Sequence, residues 1–136
     1  MIPVGFDYDR PATVDGALAL LAEHGEDASL LAGGHSLLPV MKLRLAAPER
    51  VIDIGRLDEL SYIRLEGAEV AIGATTRHRA VESSDLLAAE VPLLAAVART
   101  VGDPQVRNRG TIGGSLVHAD PAYDLPAAVL ALGGSV

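Results

Sequence analysis

The chain has 136 residues, 49% of them hydrophobic, and is therefore long and apolar enough to fold around its own core. Its formal net charge of −7 argues against a nucleic acid or an anionic membrane surface as a partner. The absence of cysteine excludes disulfides, zinc–thiolate sites and iron–sulfur ligation by this chain. The sequence shows neither a signal peptide nor an apolar run of about 20 residues, so we expect a cytoplasmic protein without a membrane span.

The N-terminal part of the chain predicts a helix, a strand and a second helix. The first helix covers residues 14–24, because Thr13 is a typical N-cap and Gly25 a typical C-terminal residue. A short apolar strand at 29–32 follows, and a helix begins after Ser36. This strand–turn–helix order suits the binding of a phosphate group.

The rest of the chain mixes strands with helices. We predict a strand at 51–54, a hairpin of strands 62–65 and 70–74, a short helix ending at Val81, and helices at 92–101 and 125–132. Thr75 or Thr76 caps the short helix, Pro92 begins the next one and Asp124 caps the last. Alternating elements followed by a hairpin indicate an α/β beginning that grades into an α+β fold.

Two glycine-rich stretches are the strongest candidates for a binding site. Each contains a glycine pair and a nearby hydroxyl residue, Gly33–Gly34 with Ser36 and Gly113–Gly114 with Ser115. Glycine permits positive φ, and successive N–H groups in such turns can converge on an anion. Two such loops facing each other predict a site for the two phosphates of a dinucleotide. The structural alternatives are tight turns: Ser36 as a helix N-cap, and residues 111–115 as a turn into a strand.

Other polar residues give weaker signals. The four histidines lack metal-ligand spacing, so we expect no metal site, although His35 lies inside the first glycine loop. Neither Ser36 nor Ser115 has the setting of a hydrolase nucleophile, and no catalytic residue is expected. Asp124 is able to accept from a ribose, ribityl or flavin group, but helix capping explains it equally well. The arginines at 107 and 109 are either solvated or in contact with a partner subunit or an adenosine end.

Taken together, these segments resemble the medium, flavin-binding subunit of the molybdenum hydroxylases. Within that family the resemblance is to aerobic carbon monoxide dehydrogenase and, more distantly, to the FAD domain of xanthine dehydrogenase. The matching stretches are residues 32–39, 41–44, 51–54, 72–76, 107–116, 118–121 and 124–127.

The resemblance implies an FAD-binding fold of the vanillyl-alcohol oxidase and p-cresol methylhydroxylase type. Residues 1–56 then form an N-terminal α/β subdomain, and residues 57–136 form the first part of a second FAD-binding subdomain. Family members continue well beyond position 136, so we expect a truncated chain that lacks a C-terminal domain. The implied cofactor-binding residues are Leu30, Leu31, Ala32, Gly33, Gly34, His35, Ser36, Leu37, Thr111, Ile112, Gly113, Gly114, Ser115 and Asp124.

The family also implies a hetero-oligomeric oxidoreductase in which this chain is the flavoprotein component. A large subunit holds the molybdenum cofactor and oxidises the substrate, and a small subunit carries two [2Fe–2S] clusters. The flavin subunit takes electrons from those clusters and passes them to an acceptor. Two alternatives stay open: a stand-alone FAD oxidoreductase of the same fold, and a non-catalytic interaction module that has lost the flavin. The substrate and the electron acceptor are not determined by this sequence.

Overall fold

The computed structural model describes residues 1–136 and shows a mixed α+β chain, as predicted. The chain divides into two compact units, Met1–Glu59 (unit 1) and Leu60–Val136 (unit 2). None of the helices has the length and apolar character needed to span a membrane.

Unit 1 is built on a three-stranded parallel sheet. Its strands are β1 (Asp7–Asp9), β2 (Ala28–Leu31) and β3 (Arg50–Asp53). Both outer strands pair with β3, in the order β1–β3–β2. Because β3 is central, Val51 and Ile52 are only 1% and 0% exposed. The predicted strands at 29–32 and 51–54 are each observed one residue earlier.

Strand β1 is missing from the sequence prediction because its residues, Asp7-Tyr8-Asp9, show no apolar alternation. Ion pairs link it to the neighbouring strand in addition to the backbone pairing. The Arg50 guanidinium, on the neighbouring β3, donates to Asp9 and to Asp7, the latter at 3.0 Å. The hydrogen bond to Asp9 raises the pKa of Arg50 above its ordinary value.

The two helices of unit 1 follow the sequence prediction closely. Helix α1 spans Val14–His24, and the Thr13 hydroxyl accepts a hydrogen bond from Gly16 N at 3.1 Å. Gly25 ends this helix with a φ of +52°. Helix α2 spans Leu37–Lys42 and begins directly after Ser36.

Unit 2 consists of a hairpin and six short helices. The hairpin strands, β4 (Ile63–Glu66) and β5 (Glu69–Ile72), are antiparallel, and Gly67 in the turn has a φ of +64°. The helices are α3 (His78–Glu82), α4 (Asp85–Glu90), α5 (Pro92–Ala98), α6 (Pro104–Arg109), α7 (Ile112–His118) and α8 (Asp124–Ala131). Their buried apolar side chains form one cluster around Val81, Leu87, Leu94 and Leu125.

Several predicted details of unit 2 are wrong. Thr76 does not cap α3, because its hydroxyl bonds the backbone N–H and carbonyl of Tyr62 instead. Asp124 is the first residue of α8 rather than its cap, which is Tyr123. Helix α5 ends at Ala98, three residues before the predicted end.

Two helices, α4 and α6, and the helical nature of α7 are absent from the prediction. In α6, Asp103 caps the helix by accepting from Val106 N at 2.9 Å, and Pro104 occupies the first turn. The Gly-Asp-Pro sequence that follows the predicted helix 92–101 therefore begins the next helix.

Candidate functional site

The first glycine loop, residues 32–36, connects the carboxyl end of β2 to α2. Gly34 has a φ of +83°, in the left-handed region that favours glycine. A Cβ added to Gly34 would lie 2.9 Å from Leu38 Cδ1. The Gly34 carbonyl accepts a hydrogen bond from Leu38 N at 3.1 Å. This turn therefore requires glycine at position 34 for its own geometry.

Backbone N–H groups are available in this first loop. The amides of Gly33, Gly34, His35 and Leu37 donate no hydrogen bond to another residue of the chain. Consecutive amides of this kind are a common way for a protein to bind an anion without a positive side chain. Lys42, the only lysine of the chain, lies at the opposite end of α2. The loop therefore suits a phosphate-containing ligand that is held by backbone donors.

The structure brings all of the predicted residues of this stretch together on the β2–α2 connection. Leu30 and His35 are exposed, and the others are half-buried: Leu31, Ala32, Gly33, Gly34, Ser36 and Leu37.

A carboxylate that the sequence did not single out lies at the end of the neighbouring strand. Asp53 of β3 is in register with Leu31 of β2, directly before the first loop. It accepts hydrogen bonds from the Tyr8 hydroxyl at 2.5 Å and from Gly55 N at 2.8 Å. The hydrogen bond to Asp53 raises the pKa of Tyr8. Through these two bonds Asp53 holds the backbone that follows β3 in place, next to the first loop.

The second glycine loop is the first turn of a helix. Thr111 is the N-cap of α7, and its hydroxyl accepts from Gly114 N at 3.1 Å. Gly113 and Gly114 lie inside the helix, where the sequence had suggested a turn into a strand. Thr111 and Ile112 are buried, Gly113 and Ser115 are half-buried, and Gly114 is exposed.

The amides of this second loop already have acceptors within the chain. Ile112 N donates to Thr76 O at 3.0 Å, and Gly113 N donates to Ala74 O at 2.9 Å. Ser115 N donates to the Thr111 carbonyl at 3.1 Å. Unbonded amides are therefore found in the first loop, whereas those of residues 112–115 in the second loop are bonded within the chain.

Close backbone packing explains the glycine at position 113. A Cβ there would lie 2.6 Å from Ala74 O and 2.7 Å from Ala74 Cβ. Real Cβ atoms do not approach other atoms this closely, so only glycine lets the turn contact residue 74. Gly114 is exposed and has no side chain, so the backbone of the first turn of α7 is accessible next to Ser115.

An ion cluster centred on a buried carboxylate joins three helices of unit 2. Glu82 of α3, whose side chain is 6% exposed, pairs with Arg79 at 2.6 Å and with Arg107 of α6 at 2.9 Å. Its backbone carbonyl lies 3.4 Å from the Arg99 guanidinium, just beyond α5. Arg107, whose side chain is only 14% exposed, is thus held by Glu82, which contradicts the expectation of a solvated side chain. Contact of Arg107 with a partner subunit or an adenosine end stays a prediction.

We expect the stabilising effect of Glu82 to depend on pH. Hydrogen bonding to Arg79, with a further contribution from Arg107, lowers the pKa of Glu82. A carboxyl group with a lowered pKa stabilises the folded state above its unfolded pKa of about 4.3, and loses that effect as the pH falls through the folded value. The Tm difference between wild type and Glu82→Gln is therefore expected to be largest near neutral pH and to shrink in acid.

Glu90→Gln is the control for this measurement, because Glu90 is exposed at the end of α4. Its Tm difference from wild type is expected to stay small at every pH. A difference for Glu82→Gln that stays constant from neutral pH to about pH 3 would contradict a role for the charged form.

Comparison with known proteins adds decisive information. Residues 4–136 match the family described as "FAD binding domain in molybdopterin dehydrogenase". The chain belongs to this family.

Relatives of this FAD-binding domain are medium chains of multi-subunit enzymes. The carbon monoxide dehydrogenase medium chain of Hydrogenophaga pseudoflava is 54% identical over 132 residues, which cover 97% of this chain and 46% of that protein. The corresponding chain of Afipia carboxidovorans is 48% identical over 135 residues, which cover 99% of this chain and 47% of that protein. This FAD-binding domain therefore spans less than half the length of these relatives.

A solved structure supports the same relationship. It is the carbon monoxide dehydrogenase from Hydrogenophaga pseudoflava that lacks the Mo-pyranopterin moiety of the molybdenum cofactor. Its matching chain is 57% identical to the FAD-binding domain, with a TM-score of 0.91 over 93% of this chain and 44% of that chain. The predicted family and the α+β fold are confirmed.

Sequence reasoning on this FAD-binding domain missed one residue beside the second loop. His78, the first residue of α3, is 2% exposed, and its Nε2 atom lies 3.1 Å from Ser115 Oγ. The available signal was its position two residues after the stretch 72–76, which had been matched to the family. No group of histidine, aspartate and glutamate side chains has the arrangement of a metal site.

Proposed function

We propose that this chain is the FAD-binding, electron-transfer component of a molybdenum-containing hydroxylase. The observation that carries the proposal is the family match over residues 4–136, which includes both glycine loops. The open amides of Gly33, Gly34 and His35 support it independently, because unbonded backbone N–H groups are able to donate to phosphate oxygens.

In this proposal the two loops have different roles. Residues 30–37 offer backbone donors, which offset phosphate charge on a chain whose net charge is −7. Most amides of residues 111–115 are bonded within the chain. This second loop therefore offers the cofactor the exposed backbone at Gly114 and the Ser115 hydroxyl. Asp124, exposed in the first turn of α8, is the remaining proposed contact.

FAD, when bound, supplies the redox chemistry, while this chain binds it and orients it. Electrons would arrive from iron–sulfur clusters held elsewhere, since this chain has no cysteine to ligate a cluster. We therefore propose a small iron–sulfur subunit and a large molybdopterin subunit as partners in a hetero-oligomer. A cytoplasmic location belongs to the same proposal, and cell fractionation tests it.

Purification of the protein expressed from its complete gene, through a tag on this chain and in its native host, tests the proposal. We expect co-purification of two further polypeptides, together with flavin absorbance, iron and molybdenum. Reduction of the bound flavin on addition of an oxidisable substrate would establish electron transfer; carbon monoxide, aldehydes, purines and other aromatic heterocycles are the compounds to try.

Each other outcome supports a different alternative. Flavin without iron or molybdenum, reduced directly by a substrate, would indicate a stand-alone FAD oxidoreductase. Absence of flavin from the complete complex, even after incubation with FAD, would overturn the proposal and leave an interaction module.

A further inference from the structure

We propose that His78 is a positioning residue for FAD binding. Its Nε2 atom donates to Ser115 Oγ, so that the Ser115 hydroxyl directs its own proton to an acceptor oxygen of the cofactor. This inference rests on the proposed function, in which Ser115 contacts FAD, and adds a residue that does not itself touch the cofactor.

The backbone places His78 firmly beside the second loop. His78 N donates to Gly110 O at 3.0 Å, and Ile112 N donates to Thr76 O at 3.0 Å. Between these two bonds, Arg77 and Thr111 form an antiparallel bridge. The start of α3 and the start of α7 are thus joined as a short two-stranded ladder, which fixes the distance between His78 and Ser115.

The imidazole ring of His78 is as constrained as its backbone. A Cβ added to Gly110 would lie 2.8 Å from His78 Cδ2 and 3.0 Å from His78 Nε2. The ring therefore lies against the bare Cα of Gly110, and His78 is only 2% exposed. From this position Nε2 reaches Ser115 Oγ at 3.1 Å.

Without this contact the Ser115 hydroxyl has a competing partner in its own helix. A serine inside a helix commonly turns its hydroxyl back to the carbonyl four residues earlier, which here is that of Thr111. A donor at Nε2 occupies one lone pair of Oγ and stabilises the rotamer that faces His78. The hydroxyl proton is then available for an acceptor outside the helix.

A phosphate or carbonyl oxygen of FAD as the partner of Ser115 sets the direction of the hydrogen bond between Ser115 and His78. Phosphate and carbonyl oxygens only accept, so Ser115 serves them only as a donor. The hydroxyl has a single proton, and the proton between Ser115 and His78 must therefore come from Nε2. This assigns the tautomer of His78 that carries hydrogen on Nε2 to the FAD-bound state.

A double-mutant cycle on FAD affinity tests the proposal. The protein is expressed from its complete gene and stripped of flavin, and FAD is titrated by fluorescence quenching for wild type, His78→Met, Ser115→Ala and the double variant. We expect Kd to rise about tenfold for His78→Met, because one hydrogen bond to a polar or charged acceptor is lost. In the Ser115→Ala background, His78→Met is expected to change Kd less than about twofold, because His78 acts through the Ser115 hydroxyl, which is already absent.

Two amide variants provide the structural control. The amide nitrogen of His78→Gln reaches about as far as Nε2 and is expected to keep Kd near the wild-type value. The shorter His78→Asn does not reach Ser115 and is expected to behave like His78→Met. These two variants also decide the question if His78→Met fails to fold.

An unchanged Kd in His78→Met, or equal losses of affinity in His78→Gln and His78→Asn, would overturn the positioning role. Independent effects of the two substitutions in the cycle would overturn it as well. If wild type itself fails to bind FAD, the proposed function fails instead, and the two failures are therefore distinguishable.

Discussion

Gly113→Ala is expected to lower the free energy of unfolding of the flavin-free protein by about 2 kcal/mol. The added Cβ would meet Ala74 O at 2.6 Å, an atom of the backbone that cannot rotate away. Overpacking of this kind costs about 1–3 kcal/mol, and the higher helix propensity of alanine offsets at most about 1 kcal/mol of it. Urea denaturation without FAD measures the change. A loss of stability in the flavin-free protein is expected because packing against residue 74, and not the ligand, requires the glycine.

Gly5→Ala is the matched control, because a Cβ at Gly5 meets no atom within 4 Å. Its unfolding free energy is expected to match that of wild type. If Gly113→Ala were as stable as wild type without FAD and differed only in flavin binding, the glycine would be needed for the ligand and not for contact with residue 74.

Gly34→Ala is expected to weaken FAD binding at least tenfold and to lower stability by about 2 kcal/mol. A non-glycine residue in the left-handed region costs about 1–2 kcal/mol, and the new Cβ also lies 2.9 Å from Leu38 Cδ1. Relaxation of this strain would rotate the turn and displace the open amides of Gly33 and His35. Equilibrium titration with FAD and urea denaturation measure the two effects.

Gly25→Ala is the control that separates the effect of backbone strain on stability from a specific effect on FAD binding. Gly25 also has a positive φ, +52°, but a Cβ there meets no atom within 4 Å, and the residue ends α1 away from the first loop. We expect it to lose stability through backbone strain at its positive φ while FAD affinity stays unchanged. Equal losses of affinity in both variants would show that flavin binding depends on the general stability of unit 1, and would contradict a specific role for the turn.

Helix caps and glycines predicted those elements of the fold whose ends depend on residues close by in the sequence. Helix α1 was bounded correctly because a Thr13 cap and a Gly25 with positive φ act within a few residues of the ends they define. The first loop was located for the same reason, since a strand, a glycine pair and a helix start follow one another in sequence. The family resemblance then supplied what spacing alone did not, the identity of the ligand.

Features held by distant residues were missed. Strand β1 depends on Arg50, more than forty residues further along the chain, and its own three residues carry no apolar pattern. Helix α7 contains two glycines, which disfavour helix by about 1 kcal/mol each, and it is stabilised by bonds from its first turn to Thr76 and Ala74. The role of His78 is invisible for the same reason, because Ser115 lies far from it in sequence.

The order β1–β3–β2 has a consequence for how unit 1 is made. The two earlier strands do not pair with each other, and each hydrogen-bonds only to β3, the last of the three in the chain. On a ribosome, no strand pair of this sheet can form until Arg50–Asp53 has left the exit tunnel. The first glycine loop therefore gains its neighbouring strand only after β3 has been synthesised, and β1 and β2 must stay unpaired until then.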